Sequence, residues 1–213
     1  MELQLGFFDL TILPVFNQIV ELSWLARPSI EVAPDLLGCT LVRLLPNGQT
    51  IRGLIVETEA YAPGDPAFHA YRRSTERNLV VFGPAGRSYI YLIYGLYHCF
   101  NIVTDQEGIP SAVLIRALHL ESLPVGIDSQ TKIERIAAGP GKLCQITQID
   151  RSLNACILQP GHPLWLEHRG WRFQQDIERQ TISLSQTTRI GISQGKDLPW
   201  RWYISNSPAV SRP

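Results

Sequence analysis

The sequence predicts a single α+β domain with a mainly antiparallel sheet, and three observations lead there. Residues 41–59 read as strand, turn and strand; three further strand candidates follow at 88–94, 98–104 and 111–118; and no linker, repeat or low-complexity segment interrupts the 213 residues. That length suits one large domain with a substantial core, or two small ones.

Residues 1–28 read as a helix or an arm closed by Arg27-Pro28. The segment PDLLG at 34–38 suits a short helix with proline in its first turn and glycine as its stop. LVRLL at 41–45, PNG at 46–48 and IRGLIVETE at 51–59 form the first strand pair. After the three central candidates, residues 119–135 have loop character around Pro124-Val125-Gly126. Gly139-Pro140-Gly141 then opens a helix over 142–146, and the remainder alternates short strands with Gly/Pro turns.

Hydrophobic residues make up 45% and charged residues 18%, which excludes a disordered chain. Nineteen basic residues balance nineteen acidic ones, and zero net charge argues against a protein held to nucleic acid by bulk electrostatics. The balance hides a gradient. Residues 1–65 carry 3 basic and 8 acidic side chains, a balance of −5, while residues 66–213 carry 16 and 11, a balance of +5. Arginine outnumbers lysine 16 to 3, favouring planar, bidentate contacts to carboxylate or phosphate. The four cysteines, Cys39, Cys99, Cys144 and Cys156, show no CxxC pair and read as buried thiols. No run of about 18 uncharged apolar residues exists, and the apolar N-terminus lacks a positive n-region and is interrupted by Asp9 and Glu21. The expected location is the cytoplasm, or the nucleoid in a prokaryote.

Chemistry concentrates between residues 57 and 116. Period-two alternation puts Glu57, Glu59 and Tyr61 on one strand face, either as a solvated polar face or as a general base beside an aromatic wall. His69 suits an acid/base pair, a metal site or a structural hydrogen bond. Arg72, Arg73, Arg77 and Arg87 face one acidic residue, Glu76, in a stretch that suits either phosphate contact or a solvated loop. Tyr89, Tyr91, Tyr94 and Tyr97 are four of the seven tyrosines within nine residues. Buried tyrosine hydroxyls need partners, so four together suggest a stacking surface or a wedge between bases. Asn101 and Arg116 lie on the next two strands. In this order the residues describe a pocket with one base, aromatic walls, polar discriminators and a basic approach, suited to a planar, nucleobase-like substrate.

VETEAY at 56–61, Asp65-Pro66-Ala67 with His69, TERN at 75–78, YIYLIYG at 89–95, Asn101, AVLIRAL at 112–118, GPGKLCQ at 139–145 and RIGI at 189–192 occur in the order found in alkyladenine (methylpurine) DNA glycosylases. WLARPSIEVAPDLLG at 24–38 also resembles that family's entry segment. The resemblance implies a mixed α/β single domain over 24–205, its curved sheet flanked by helices, with an N-terminal arm or helix over 1–23 and a tail over 206–213. It implies a monomer that acts on double-stranded DNA bearing damaged purines, without a cofactor. Glu59 falls on the glutamate that activates water, Arg116 on the arginine that positions the water and sugar-phosphate, and the Ile190 carbonyl on another water contact. Tyr61, His69 and Tyr91 match the walls around a flipped base, Asn101 the side chain that obstructs guanine's amino group, Tyr94 the intercalating residue, and Tyr89 a partner of the histidine.

Extruding a nucleotide costs a few kcal/mol, which an inserted Tyr94 partly offsets. Glu59 would then orient water and stabilise an oxocarbenium-like sugar. Only Lys132, Lys142 and Lys196 could form a Schiff base, and none lies in the pocket motifs, so a monofunctional hydrolase without lyase activity is expected. Arg72, Arg73, Arg77 and Lys142 are candidates for the DNA backbone; GPGKLCQ either presents Lys142 and a helix start to phosphate or is a structural turn. Two alternatives remain: a metal-dependent nuclease using Glu57, Glu59, Asp65 and His69, and a damage-binding protein that flips bases without cleaving them.

Overall fold

The computed structural model describes residues 18–71 and 74–212. Eight strands, β1 (Thr40–Leu44), β2 (Thr50–Tyr61), β3 (Ser88–Ile93), β4 (Tyr97–Val103), β5 (Ala112–Leu120), β6 (Leu164–Glu167), β7 (Leu184–Thr187) and β8 (Arg201–Ile204), join in one sheet. Its main order is β3-β4-β5-β2-β1-β6, and every pairing is antiparallel. β2 is long enough to serve two neighbours on one edge. Residues 50–54 pair with β1, residues 57–59 pair with β8, and β5 runs along the opposite edge. β7 extends the second arm through β8. The α+β class and antiparallel sheet are those expected.

The central strand, β5, is buried on both faces except at His119, in keeping with its apolar start AVLI. Ile55, Val56, Ile115 and Leu118 meet Val32, Ala33 and Leu36 in the main core. A second, smaller cluster joins Tyr61, Phe68, Val81, Tyr89, Cys99 and Leu114 near the ends of β2 to β5. It supports the candidate site.

Among the described residues there are five α-helices: α1 (Leu22–Leu25), α2 (Ser29–Asp35), α3 (Ile133–Ile136), α4 (Pro140–Ile146) and α5 (Trp171–Glu178). The helix expected at 34–38 lies earlier. Pro28 caps α2, and Pro34 occupies its last turn rather than its first. Gly38 does end the segment, at φ +86 and so close to the Phe173 ring that an added Cβ would stand 2.3 Å from it. α5 falls where only strands and turns were expected. It begins at Gly170 without a side-chain cap, and Phe173 packs against the main core. The N-terminal arm lies outside the described residues up to 17, and the next part forms an isolated bridge from Ile19 to Glu167. At the other end Ala209 and Val210 are buried in the main core. Among the described residues no helix is long and apolar enough to cross a membrane.

Candidate active site

The second half of β2 is held between β5 and β8, and this flanking delivers two arginines to its glutamates. Glu57 lies opposite Ala117 and Thr58 opposite Ile115, so the ladder skips Arg116. Such a bulge re-aims the side chain of the skipped residue. Arg116 Nε donates to Glu57 Oε1 at 2.9 Å, and its Nη1 lies 3.0 Å from Glu59 Oε1. Glu57, Glu59 and Tyr61 do share this environment, yet all three are buried rather than a solvated face.

Glu59 receives three groups. The Tyr61 hydroxyl donates to Oε2 at 3.0 Å, the Ile190 amide donates to Oε1 at 2.8 Å, and Arg116 supplies the ion pair. Burial, reinforced by the charge of Glu59, pushes the Tyr61 hydroxyl well above its usual range, so it stays a donor. Burial opposes the charge on Arg116, but Glu59 and Glu57 outweigh it and hold the guanidinium above its ordinary value. Glu59 has no exposed surface, whereas Tyr61, Arg116 and Ile190 all line a pocket of about 600 Å³. Glu59 itself is not part of that lining and reaches the pocket only through these three partners.

The walls come from the β3 and β4 pair and the loop before it. Cross-strand register sets Tyr89 opposite Asn101 and Tyr91 opposite Cys99. Asn101 Nδ2 donates to the Tyr89 carbonyl at 3.0 Å, which fixes the amide against the strand. His69 Nδ1 and the Tyr89 hydroxyl are 3.0 Å apart, and the His69 ring meets Tyr91 edge-on with centroids 4.4 Å apart. The Asn78 side chain donates to the His69 carbonyl at 2.8 Å, tying the TERN segment to the wall. Burial pushes Tyr89 up to about 12, so its hydroxyl keeps its proton. Desolvation, with Arg77 adding to it, holds His69 below the usual histidine range and favours a neutral imidazole. Burial also pushes the Cys99 thiol, part of the pocket lining, up to about 11.

Tyr94 occupies the tip between β3 and β4, 84% exposed and bordering the pocket. Tyr94 and Gly95 have φ of 51 and 69, the two left-handed residues that a tight hairpin turn requires. The opposite rim is the segment 190–194, anchored by Arg189. Arg189 makes a buried bidentate ion pair with Asp65, with Nη2 2.8 Å from Oδ1, and lies over the rings of Tyr61 and Trp200.

The structure therefore gathers Tyr61, His69, Tyr89, Tyr91, Tyr94, Asn101, Arg116 and Ile190 around one cavity, with Glu59 buried behind Tyr61, Arg116 and Ile190. For Ile190 the expectation concerned the carbonyl, whereas the contact formed is from its amide to Glu59. Of the backbone candidates, Lys142 is exposed on α4, whose Pro140 borders the pocket. Arg77 is exposed, with its guanidinium 5.6 Å from the Tyr91 ring centre. Arg72 and Arg73 lie outside the described residues. The pairing of Asp65 with Arg189 and the contacts of Arg201 were not anticipated, although Asp65 and Arg189 both lie in the quoted motifs.

The donor set required by a metal-dependent nuclease does not converge. Glu57 is taken up by Arg116 and Arg201, Asp65 by Arg189, and His69 faces Tyr89. Among the described residues no group of three His, Cys, Asp or Glu side chains is placed to hold a metal ion.

A sequence profile of methylpurine-DNA glycosylases matches residues 23–208. A protein of Trichodesmium erythraeum provisionally named a 3-methyladenine DNA glycosylase is 55% identical over 203 residues, covering 92% of this chain and 98% of its own. Proteins bearing the same provisional name from Synechococcus sp. (strain JA-3-3Ab) and Carboxydothermus hydrogenoformans are 53% and 47% identical. They cover 89% and 88% of this chain, and 97% and 95% of their own lengths.

Proposed function

Because the chain belongs to the methylpurine-DNA glycosylase family, we propose that it excises damaged purines from duplex DNA by hydrolysing the N-glycosidic bond. The substrates are 3-methyladenine and other alkylated purines, hypoxanthine and ethenoadenine. The observation that carries this reading is the convergence of Tyr61, Arg116 and the Ile190 amide on one buried carboxylate beneath an aromatic pocket.

The damaged nucleotide leaves the stack and Tyr94 fills the space, reducing the net cost of extrusion. The base enters between Tyr61, His69 and Tyr91, where stacking accepts any planar ring and cationic purines gain most from the aromatic faces. Asn101, tied to the strand, obstructs a purine bearing guanine's exocyclic amino group. The bond from C1′ to the base nitrogen breaks with its electron pair going to the base. Water adds its oxygen to C1′ and gives up a proton to Glu59, whose charge also stabilises the oxocarbenium-like sugar. Arg116 and Tyr61 fix the carboxylate, and the carbonyl of Ile190 is a further contact for the water. None of the three lysines lines the pocket, so the abasic strand stays intact.

Duplex oligonucleotides bearing one hypoxanthine or ethenoadenine, incubated with excess EDTA, test this reading. Free base and an unbroken abasic strand are expected, and Glu59→Gln should stop release while sparing binding. Equal release by wild type and Glu59→Gln overturns the mechanism. Binding without release by the wild type would favour a damage-binding protein, and activity lost to EDTA a nuclease.

A further inference from the structure

Glu57 takes no part in the chemistry above, yet it is completely buried and carries more donors than Glu59. Its Oε1 accepts from Arg116 Nε at 2.9 Å, Arg201 Nη1 at 2.8 Å and Ser211 Oγ at 3.0 Å. Its Oε2 accepts from the Ser211 amide at 2.8 Å. Four protein donors thus engage both oxygens of a carboxylate with no exposed surface, which commits Glu57 to the protein rather than to water or substrate.

These donors come from three separate parts of the chain. Arg116 stands on β5 and reaches Glu59 with its other arm. Arg201 stands on β8 and also donates from Nε to the Thr188 carbonyl at 3.0 Å, two residues before the Ile190 amide that holds Glu59. The same Arg201 donates from Nη1 to the Arg212 carbonyl at 2.7 Å, which joins the C-terminal segment to the group. Two glutamates and two arginines thus form a neutral buried set with Glu57 at its hub. A guanidinium is a planar fork. Nε is committed to Glu57 and Nη1 to Glu59, while Arg116 as a residue borders the pocket.

We propose that Glu57 is a positioning residue for base excision: it grips Arg116 by Nε so that the guanidinium meets Glu59 through one arm and keeps the remainder for the substrate. This rests on the reading of Glu59 as the residue that activates water. Without Glu57, Arg116 is free to rotate onto Glu59 in a bidentate pair, which is the favoured geometry for arginine with a carboxylate. That rotation withdraws Arg116 from the pocket and occupies the carboxylate oxygens that water needs. Ser211 makes the C-terminal segment part of the same device, since its hydroxyl shares Oε1 with Arg116 and its amide holds Oε2.

The test separates rate from binding. Single-turnover release of hypoxanthine is measured at saturating enzyme, and Kd is measured on duplex DNA bearing a non-cleavable abasic analogue. Glu57→Gln keeps the shape and loses the charge; its rate should fall about 10- to 100-fold, as for loss of an outer partner that orients a reacting group, with Kd essentially unchanged. Glu57→Asp keeps the charge but draws it back by one methylene, so its rate should lie between the two. A folded Glu57→Gln enzyme with the wild-type rate overturns the proposal, as does a parallel loss of rate and affinity, which a purely structural role would give. If Glu57→Gln does not fold, Glu57→Asp decides: a reduced rate at wild-type Kd supports the proposal and the wild-type rate overturns it. Glu59→Gln in the same assay separates the two levels. Full activity there removes the reading and this proposal together, whereas an inactive Glu59→Gln beside a fully active Glu57→Gln removes only the proposal.

Discussion

Arg189 and Asp65 form an ion pair whose side chains are both completely buried, and the residue after Arg189 supplies the amide that holds Glu59. Arg189 also donates to the Ala60 carbonyl at 3.0 Å and is flanked by the Tyr61 and Trp200 rings. One guanidinium therefore fixes the loop that carries Asp65 ahead of His69, the end of β2 and the segment that begins at Ile190. Asp65→Ala would leave this charge buried without its partner. The expected loss of stability is about 3–5 kcal/mol, measured by urea unfolding, with a smaller loss for Asp65→Asn. Excision should fall as well, because the Ile190 amide loses its anchor. A change within about 0.5 kcal/mol, the usual range for an unremarkable surface site, would show that the pair is not what holds the loop.

How much of this was legible in the sequence depends on the range of each interaction. The pairing of β1 with β2 follows from local alternation and the turn containing Gly48. The placement of Tyr94 follows from Tyr94-Gly95 between two strands. The burial of Glu57 and Glu59 could not be read locally, because it depends on Arg116 and Arg201 arriving from β5 and β8, 59 and 144 residues away. Alternation predicted the shared face; only the strand order decides whether that face meets solvent or arginine. The bulge at Arg116 is likewise a property of register, and AVLIRAL shows no glycine or proline to announce it. α2 lies earlier than the sequence suggests because a proline reads equally as a start signal at 28 and at 34, and Pro28 does the capping.

Tyr94 combines 84% exposure with a left-handed backbone, so it is presented by the turn rather than supported by packing. A non-glycine residue in that region carries a conformational cost of order 1–3 kcal/mol, which the function must justify. Tyr94→Ala should leave thermal stability near wild type while slowing release from paired hypoxanthine about 10- to 100-fold, given about 1–3 kcal/mol for a lost aromatic stacking contact. The defect should shrink when the lesion lies in an unpaired bulge, where extrusion costs less. Fluorescence of a base analogue next to the lesion reports the flipping step directly. An equal defect on paired and unpaired lesions would remove the wedge role.

His69 titrates below its ordinary value of 6.5 because desolvation disfavours its charged form and Arg77 repels it. It is therefore neutral at pH 7 and gains its charge only as the pH falls below 6.5. Arg77→Gln removes the smaller of the two causes, so the His69 midpoint should rise yet stay below 6.5; imidazole NMR measures it. A charged His69 would repel a cationic methylated base but not neutral hypoxanthine. Excision of the cationic base should accordingly weaken on the acid side, beginning at a higher pH in Arg77→Gln than in wild type, with hypoxanthine excision insensitive to this titration. An unmoved midpoint would assign the shift to burial alone.

The charge gradient predicts how tightly salt controls DNA binding. Of the acidic excess in the first 65 residues, Glu57, Glu59 and Asp65 are buried against Arg116, Arg201 and Arg189 from the basic remainder. Removing these three cancelled charges from each side reduces −5 and +5 to −2 and +2. The outward polarity is small, so no strong bulk field draws phosphate and the contacts fall to local cations. With Arg72, Arg73, Arg77 and Lys142 each neutralising one phosphate, log K against log salt should have a slope of about −3.6, at about −0.9 per contact. Fluorescence anisotropy on a duplex with an abasic analogue, over 50 to 200 mM salt at about pH 7.5, measures it. Lys142→Gln should reduce the slope by about 1 and weaken damaged and undamaged duplexes alike. A slope near −10, typical of a protein making many phosphate contacts, would mean that the neutral surface hides a far larger basic face than these four residues provide.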